Sequence, residues 1–382
     1  MQLDPPHSAE LTLVAHGINA GMAVRPGPDQ TVALSSPLVF VTGASRSGTT
    51  MLARMLGSHS AIMAFDELHY FGSLWDPSDN GREFTSRKLA EIAAILLARQ
   101  TRGLWGGRPS TDEQSWGRHL ERDLAEHERT PAGVFAAVLM RLAKDAGKTI
   151  ACEQTPRNIF YARQLLDLYP NARVIHIVRD PRAVLASQKN RWQLRRLGAH
   201  HLPLSEMLRN RVNYHPLTMG KLWARATEEA LGLVGHPRFM MLRFEDLAAD
   251  PKTGAERLSG FLDLEYEPEM LEIPRWGSSN VEHSSEQKGV SAEVVNKWRD
   301  CLSTGEARIC ESTCRRQMEE LGYPTEFLGD AHRLSALPSL LSYPLHAMGV
   351  VALNPGRAWI HVKALFRRRR DTGHLARASV SK

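Results

Sequence analysis

Cysteine is scarce in this 382-residue chain, and the four that are present form no metal-binding pattern. They include no CxxC pair, and no pair of histidines stands beside them at zinc-finger spacing. The sequence therefore predicts neither a structural zinc nor any other metal. Cys310 and Cys314 lie four residues apart, so they are predicted to be half-buried thiols on one helical face.

A long apolar run and a secretion signal are also missing. No stretch approaches the roughly 20 apolar residues that a membrane-spanning helix needs. The first 21 residues contain acids and prolines where a secretory signal has a basic start and an unbroken apolar run. The expected location is therefore cytoplasmic.

The chain lacks a basic excess over most of its length, although its formal net charge is +6. Eight of the 48 Lys and Arg residues lie between Arg357 and Lys382, beside the single acid Asp371. The rest of the chain therefore has nearly equal numbers of basic and acidic groups, and no nucleic-acid partner is expected.

The apolar and basic C-terminal segment, residues 331–382, has two interpretations that stay open. Leucine, valine and aromatic side chains followed by Arg367–Arg370 can bind an anionic membrane surface, which would make the chain membrane-associated. The same pattern also fits a helical extension with a basic end.

Alternating strand and helix patterns predict an α/β fold with a doubly wound parallel sheet and helical insertions. Residues 1–36 are predicted to be an irregular lead-in, residues 37–330 one domain, and residues 331–382 an extension. Within the domain, two helices are predicted at Arg87–Gln100 and Pro131–Ala146. The strand and helix units are Leu38–Thr42 with Thr49–Gly57, Thr149–Cys152 with Asn158–Tyr169, Arg173–Val178 with Pro181–Trp192, and Phe239–Leu242 with a helix that begins near Glu245.

The strongest local signal joins the first strand to the first helix through Gly43-Ala44-Ser45-Arg46-Ser47-Gly48. Such a loop can turn its N–H groups toward a phosphate or sulfate, with Arg46 and the hydroxyls of Ser47, Thr49 and Thr50 as further donors. A plain strand-to-helix turn would show the same glycines. Thr49 stands where a nucleotide-hydrolysing loop has lysine, which disfavours a kinase or NTPase.

Ser45–Thr50 resembles the 5′-phosphosulfate loop of sulfotransferases that use 3′-phosphoadenosine 5′-phosphosulfate (PAPS). A second motif of that family is matched by Val174–Ser187, and the resemblance covers about residues 38–300. It implies the P-loop-like sulfotransferase fold and transfer of a sulfuryl group from PAPS to an acceptor hydroxyl. It also implies that Arg179 and Ser187, joined by Arg191 one turn further along the same helix, hold the 3′-phosphate. Asp180 and Pro181 are expected to cap that helix as well.

The acceptor hydroxyl must lose a proton, and the segment after the first helix offers two bases. Asp66–Phe71 is similar to the segment of glycan and tyrosylprotein sulfotransferases that carries the catalytic glutamate, and Glu67 matches that residue. His69 is the rival base. That branch commonly has lysine at the position of Gln154, so Arg46 is predicted to assist the leaving group alone.

Two further residues follow from the resemblance alone. Ser284 and Lys297 match a tyrosylprotein sulfotransferase segment that closes over the cofactor, although a capped surface helix would fit them too. The acceptor, a glycan, peptide tyrosine, lipid or small metabolite, is not specified, and its choice is assigned to residues 72–148. The alternatives are a P-loop-like nucleotide kinase, which would need Mg²⁺, and a noncatalytic phosphate-binding protein.

Overall fold

One parallel sheet forms the centre of the protein. The computed structural model describes residues 35–80, 82–104, 106–193, 204–273, 289 and 294–353. The five strands pair in the order β2-β3-β1-β4-β5, and every pairing is parallel. The strands are β1 (Leu38–Gly43), β2 (Ile62–Phe65), β3 (Ile150–Gln154), β4 (Arg173–Val178) and β5 (Phe239–Arg243).

Helices connect the strands and cover the sheet. Prolines in the first turn, together with capping side chains, begin several of them. At α6, for example, Asp180 accepts a hydrogen bond of 2.8 Å from the Arg182 N–H, as predicted. The α-helices in the described residues are α1 (Thr49–Gly57), α2 (Ser86–Arg102), α3 (Thr111–Asp123), α4 (Pro131–Asp145), α5 (Ala162–Leu168), α6 (Pro181–Lys189), α7 (Leu204–Asn213), α8 (Pro216–Leu231), α9 (Phe244–Ala249), α10 (Pro251–Phe261), α11 (Trp298–Cys301), α12 (Thr304–Glu320) and α13 (Leu337–Leu353).

Both faces of the sheet are buried, which explains why its strands read as nearly continuous apolar runs. Side chains alternate along β1, so Phe40 packs with α2, α4 and α5 on one face. Val39 and Val41 pack with α1, α9 and α10 on the other. The predicted doubly wound α/β fold is therefore confirmed.

The structure corrects several boundaries. The strand β2 was not predicted, because its four residues are too short to show a period. The helix predicted over Asn158–Tyr169 is a 3₁₀ helix at Pro156–Tyr161 followed by α5. Cys310 and Cys314 of α12 are fully buried rather than half-buried, and both thiols are free.

The prediction that no apolar stretch reaches membrane-spanning length is wrong. In the described residues one helical stretch, Asp330–Leu353, is long and apolar enough to cross a membrane by length and composition, and an 18-residue window within it has a mean hydropathy of 1.4. Only 6% of that window is buried. The sequence-based argument for a cytoplasmic location depended on the missing run, so it loses its basis.

Candidate active site

The loop between β1 and α1 needs glycine for two physical reasons. Gly48 has a φ of 104°, a left-handed conformation that side chains rarely adopt, and it caps α1. A Cβ atom at Gly48 would also lie 2.8 Å from the ring of Phe244. The loop therefore lies directly against the start of α9, with the N-terminus of α1 behind it.

The structure brings the two predicted phosphate motifs together. Arg46 donates a hydrogen bond of 3.1 Å from Nε to the Oγ of Ser187, which lies 141 residues further along the chain. Beside this contact, the Gln188 amide lies 3.4 Å from the carbonyl oxygen of Ser45. The loop after β1 and the helix after β4 therefore form one polar surface.

Arg179 is a buried cation at the edge of that surface. It follows β4 directly, and only 7% of the residue is exposed. Its guanidinium carbon lies 4.3 Å from the centroid of the Phe244 ring, and Nη1 lies 3.5 Å from the carbonyl oxygen of Arg46. Burial lowers the pKa of Arg179, and nearby Glu245 and Asp180 oppose that change.

The side-chain hydrogen bonds of Arg179 within the described residues do not include its Nε. Nη2 donates to the carbonyl oxygen of Val294 over 2.9 Å, and the indole N–H of Trp223 fixes the Arg179 carbonyl oxygen over the same distance. The buried Nε has no hydrogen-bond partner in the described part of the chain. A buried guanidinium with a spare donor is suited to an anion.

The remaining donors of the loop and of the start of α1 are buried or partly buried. Ser47 is fully buried, and its hydroxyl has no hydrogen-bond partner within the described ranges. Thr49 is buried and Thr50 is partly exposed, and both lie in the first turn of α1. Because a buried unpaired hydroxyl is costly, Ser47 favours a bound anion in the loop.

The other predicted cofactor residues have mixed outcomes. Arg191 is buried, but α6 ends at Lys189 and Arg191 belongs to a short 3₁₀ helix, so it does not continue the helix of Ser187 as predicted. Lys297 is partly exposed and precedes α11, whose Trp298 ring lies 4.3 Å from the guanidinium carbon of Arg182 on α6. Ser284 lies outside the described residues.

Both candidate bases lie just after β2 and form a pair. The Nε2 of His69 lies 2.8 Å from the Oε2 of Glu67. Glu67 is 7% exposed, so it is not the solvated loop carboxylate that its residue type alone would suggest. On α2, Arg99 donates to the carbonyl oxygens of Leu68 and His69 over 2.5 and 3.0 Å.

Behind this pair lies Glu153, a carboxylate that the sequence analysis did not assign to the site. Its side chain accepts hydrogen bonds from the Leu68 N–H over 3.2 Å, from the Thr155 hydroxyl, and from the Asn158 amide over 2.7 Å. Burial raises the pKa of Glu153 to about 7, and the charge of Glu67 adds to the rise. The sequence feature that could have pointed to Glu153 is an acidic residue near the end of an apolar strand.

Gln154, where the related branch commonly has lysine, ends β3 and is 1% exposed. It pairs in register with Val41 of β1, next to the phosphate loop. Neither the oxygen nor the nitrogen of its amide has a hydrogen-bond partner among the residues described. The neutral amide is therefore buried and available at the carboxyl edge of the sheet, beside the loop.

Within the described ranges, no three His, Cys, Asp or Glu side chains form a group that could hold a metal ion. The absence of a metal remains a prediction from the sequence.

The known proteins to which this chain is similar are sulfotransferases. Carbohydrate sulfotransferase 2 of Homo sapiens is 30% identical over 185 residues, which cover 40% of this chain and 34% of that protein. Protein-tyrosine sulfotransferase A of Caenorhabditis elegans is 22% identical over 273 residues, covering 69% of this chain and 61% of that protein. The chain thus spans about a third of the length of the carbohydrate sulfotransferase.

Among solved structures, the sulfotransferase domain from the curacin biosynthetic pathway is similar, with a TM-score of 0.49 and 18% identity. That match covers 77% of this chain and 99% of that domain. A family model, described as the sulfotransferase family, matches residues 37–268, which is more than half of the chain and includes both phosphate motifs and the Glu67–His69 pair. The chain therefore belongs to the sulfotransferase family.

Proposed function

We propose that this protein transfers a sulfuryl group from PAPS to an acceptor hydroxyl. The observation that carries the proposal is the contact between Arg46 and Ser187, because it joins a loop suited to one phosphate or sulfate to a helix suited to a second. Two anion sites beside each other fit a donor with a 5′-phosphosulfate and a 3′-phosphate. PAPS would supply the activated sulfuryl group.

The residues that would hold PAPS fall into two groups. The loop after β1 would bind the 5′-phosphosulfate through Arg46, Ser47, Gly48, Thr49 and Thr50, and its unpaired Ser47 hydroxyl fits such a ligand. The 3′-phosphate would lie against Arg179 and Ser187, with Arg191 near by. Ser284 and Lys297 are proposed to close over the cofactor, on the resemblance alone.

Acceptor activation is assigned to Glu67. Its carboxylate would take the proton of the acceptor hydroxyl while His69, 2.8 Å away, donates to the same carboxylate and fixes its orientation. Arg46 would stabilise the negative charge that develops on the leaving phosphate oxygen. Glu67 and Arg46 are therefore the proposed catalytic residues.

Titration with 3′-phosphoadenosine 5′-phosphate (PAP) tests the donor. Without divalent metal, the protein should bind PAP more tightly than ATP. Arg179→Ala should weaken PAP binding by about 10- to 150-fold, since a hydrogen bond to a charged group contributes about 1.5–3 kcal/mol. Arg315 of α12, which is exposed and pairs with Glu319, gives the matched control Arg315→Ala.

The titration also separates the alternative functions. Tight ATP binding that needs Mg²⁺, with no response to PAP, would contradict the sulfotransferase proposal and favour a nucleotide kinase. PAP binding without sulfate transfer to any hydroxyl would favour a noncatalytic phosphate-binding protein.

The base assignment has its own test in Glu67→Gln and His69→Asn. Glu67→Gln keeps the shape of the side chain but removes the basic carboxylate, so turnover should fall by about 10²–10⁴-fold while PAP binding is unchanged. His69→Asn should have the milder effect. If His69→Asn is inactive and Glu67→Gln is near full activity, the base is His69.

The acceptor is proposed only as a hydroxyl compound. The relatives are named for carbohydrates and for protein tyrosine, and both classes belong in the first assay. The segment from Gly72 to Lys148 is proposed to select the acceptor, because Arg99 of α2 contacts the backbone of Leu68 and His69. No nucleic-acid partner is proposed.

We also propose that the C-terminal extension, starting at residue 331, contacts an anionic membrane surface. Large apolar side chains of α13 are exposed, and the basic residues from Arg357 onward follow in sequence. The whole helical stretch Asp330–Leu353 is long enough to cross a bilayer, but its α-helical part α13 has only 17 residues. These span about 26 Å, less than the roughly 30 Å of a bilayer core, and Pro344 interrupts the hydrogen bonding of α13. These features favour a helix that lies on the membrane over one that crosses it.

A further inference from the structure

We propose that Glu153 is a positioning residue, which holds the segment of the catalytic base against the end of β3 through Leu68 and Thr155. The role rests on the proposed function, because it requires Glu67 to act as the base. Glu153 itself is 1% exposed and is assigned no contact with substrate.

The tie consists of three connected hydrogen bonds. The Oε1 of Glu153 accepts the backbone N–H of Leu68 over 3.2 Å and also accepts the hydroxyl of Thr155. The Oγ of Thr155 in turn accepts the backbone N–H of His69 over 3.2 Å. Two successive N–H groups directly after Glu67 are therefore fixed by one side-chain unit.

The geometry of the segment shows why such a tie is needed. His69 has a φ of 46°, a conformation that is uncommon for a residue with a side chain. The turn lets His69 reach back to Glu67 within 2.8 Å. From α2, Arg99 donates to the carbonyl oxygens of Leu68 and His69, so the segment is held on both sides.

The second carboxylate oxygen of Glu153 is hydrogen-bonded as well. Its Oε2 accepts the amide of Asn158 over 2.7 Å, so both carboxylate oxygens are used. The polar chain from Asn158 to His69 is buried, where an incomplete network would be costly. A small displacement of a catalytic group can reduce turnover by about 10²-fold, which gives this tie a kinetic effect.

The test compares Thr155→Val, Glu153→Leu and Glu153→Gln. Thr155→Val and Glu153→Leu should lower kcat by about 10- to 100-fold and leave the KM for PAPS unchanged. Glu153→Gln should keep most of kcat, because its oxygen still accepts from Leu68 and Thr155. Its new amide can donate to the Asn158 Oδ1, which is otherwise unpaired in the described structure, once the Asn158 amide turns over.

Controls separate positioning from folding and from charge. Glu228→Gln changes a partly buried glutamate of α8, which is paired with Arg316 and has no assigned role in the site, and it should leave kcat unchanged. If Glu153→Gln loses as much activity as Glu153→Leu, the charge and not the position of Glu153 matters, and the proposal is wrong. Should Glu153→Leu fail to fold, Thr155→Val alone decides.

A second measurement does not depend on activity. Hydrogen exchange at the Leu68 and His69 amides should become faster in Thr155→Val than in the wild type, while PAP binding persists. Unchanged exchange together with unchanged kcat would overturn the positioning role. A wild-type chain that transfers no sulfate would contradict the proposed function, and the exchange result would still decide whether the tie exists.

Discussion

Gln154 is the residue at which this chain departs most from the branch it resembles. An amide contributes no charge, yet here it is buried beside the phosphate loop with both polar atoms unpaired among the described residues. A buried amide without partners is unfavourable in the free protein. The position therefore favours a ligand that supplies hydrogen bonds.

Gln154→Lys should give a protein that depends on its cofactor for stability. A lysine buried without an anion is costly, so the melting temperature of the free variant should fall below that of the wild type. PAP should then raise the melting temperature more than it does for the wild type, because an anion compensates the buried charge. Differential scanning fluorimetry with and without PAP measures both effects.

The control for this prediction is Gln154→Met, which has a similar size and no charge. It should show no larger response to PAP than the wild type. If Gln154→Lys and Gln154→Met respond equally to PAP, the side chain at this position does not face the bound cofactor.

The two phosphate motifs could be recognised in the sequence, and the contacts of Glu153 could not. Arg46 lies in a glycine-flanked loop before a helix, a local pattern that implies an anion site, and Arg179 and Ser187 were assigned through the family resemblance. The role of Glu153 depends on partners more than 80 residues away in sequence, such as Leu68. A local sequence pattern does not predict which backbone N–H will donate a hydrogen bond to a buried carboxylate.

At the scale of elements, α13 shows what composition leaves open. Its apolar residues could equally form a buried helix, and only the structure shows Leu341, Leu345 and Met348 to be 76%, 72% and 68% exposed. The contacts that do hold it involve His215, whose ring lies 4.9 Å from the rings of Tyr343 and His346. One side of α13 is thus attached to the domain and the rest is exposed.

Vesicle flotation tests the proposed membrane contact. The full chain should float with vesicles that contain phosphatidylserine and stay unbound with phosphatidylcholine alone, because each basic residue near an anionic surface contributes about 1 kcal/mol. Replacing Arg367–Arg370 by serine should abolish flotation. Leu341→Ser together with Leu345→Ser should weaken it at the same lipid composition.

The matched control replaces two exposed arginines of α12, Arg315→Ser together with Arg316→Ser. This variant should float like the wild type. Equal binding to neutral and anionic vesicles would contradict the electrostatic part of the proposal. No binding to either would contradict the proposed membrane contact as a whole.

For the molecule as a whole, the sheet was predictable because buried parallel strands have a strong apolar signal. Four of the five strands were predicted within two residues of their observed ends, and β2 was missed for its length. The helices α2 and α4 were recognised, whereas α3 was not, since Trp116 and Leu120 are the only large apolar side chains among its 13 residues. The order of the strands could not be predicted from the sequence, because it is set by contacts between distant segments.

That strand order divides the site in two. With β1 in the middle, Glu67 follows β2 and Gln154 ends β3 on one side of the phosphate loop, and Arg179 and Phe244 follow β4 and β5 on the other. The long insertion with α2, α3 and α4 belongs to the first side only. The segment proposed to select the acceptor and the residues proposed to hold the 3′-phosphate therefore lie on opposite sides of β1, so the sequence of one can change without the other.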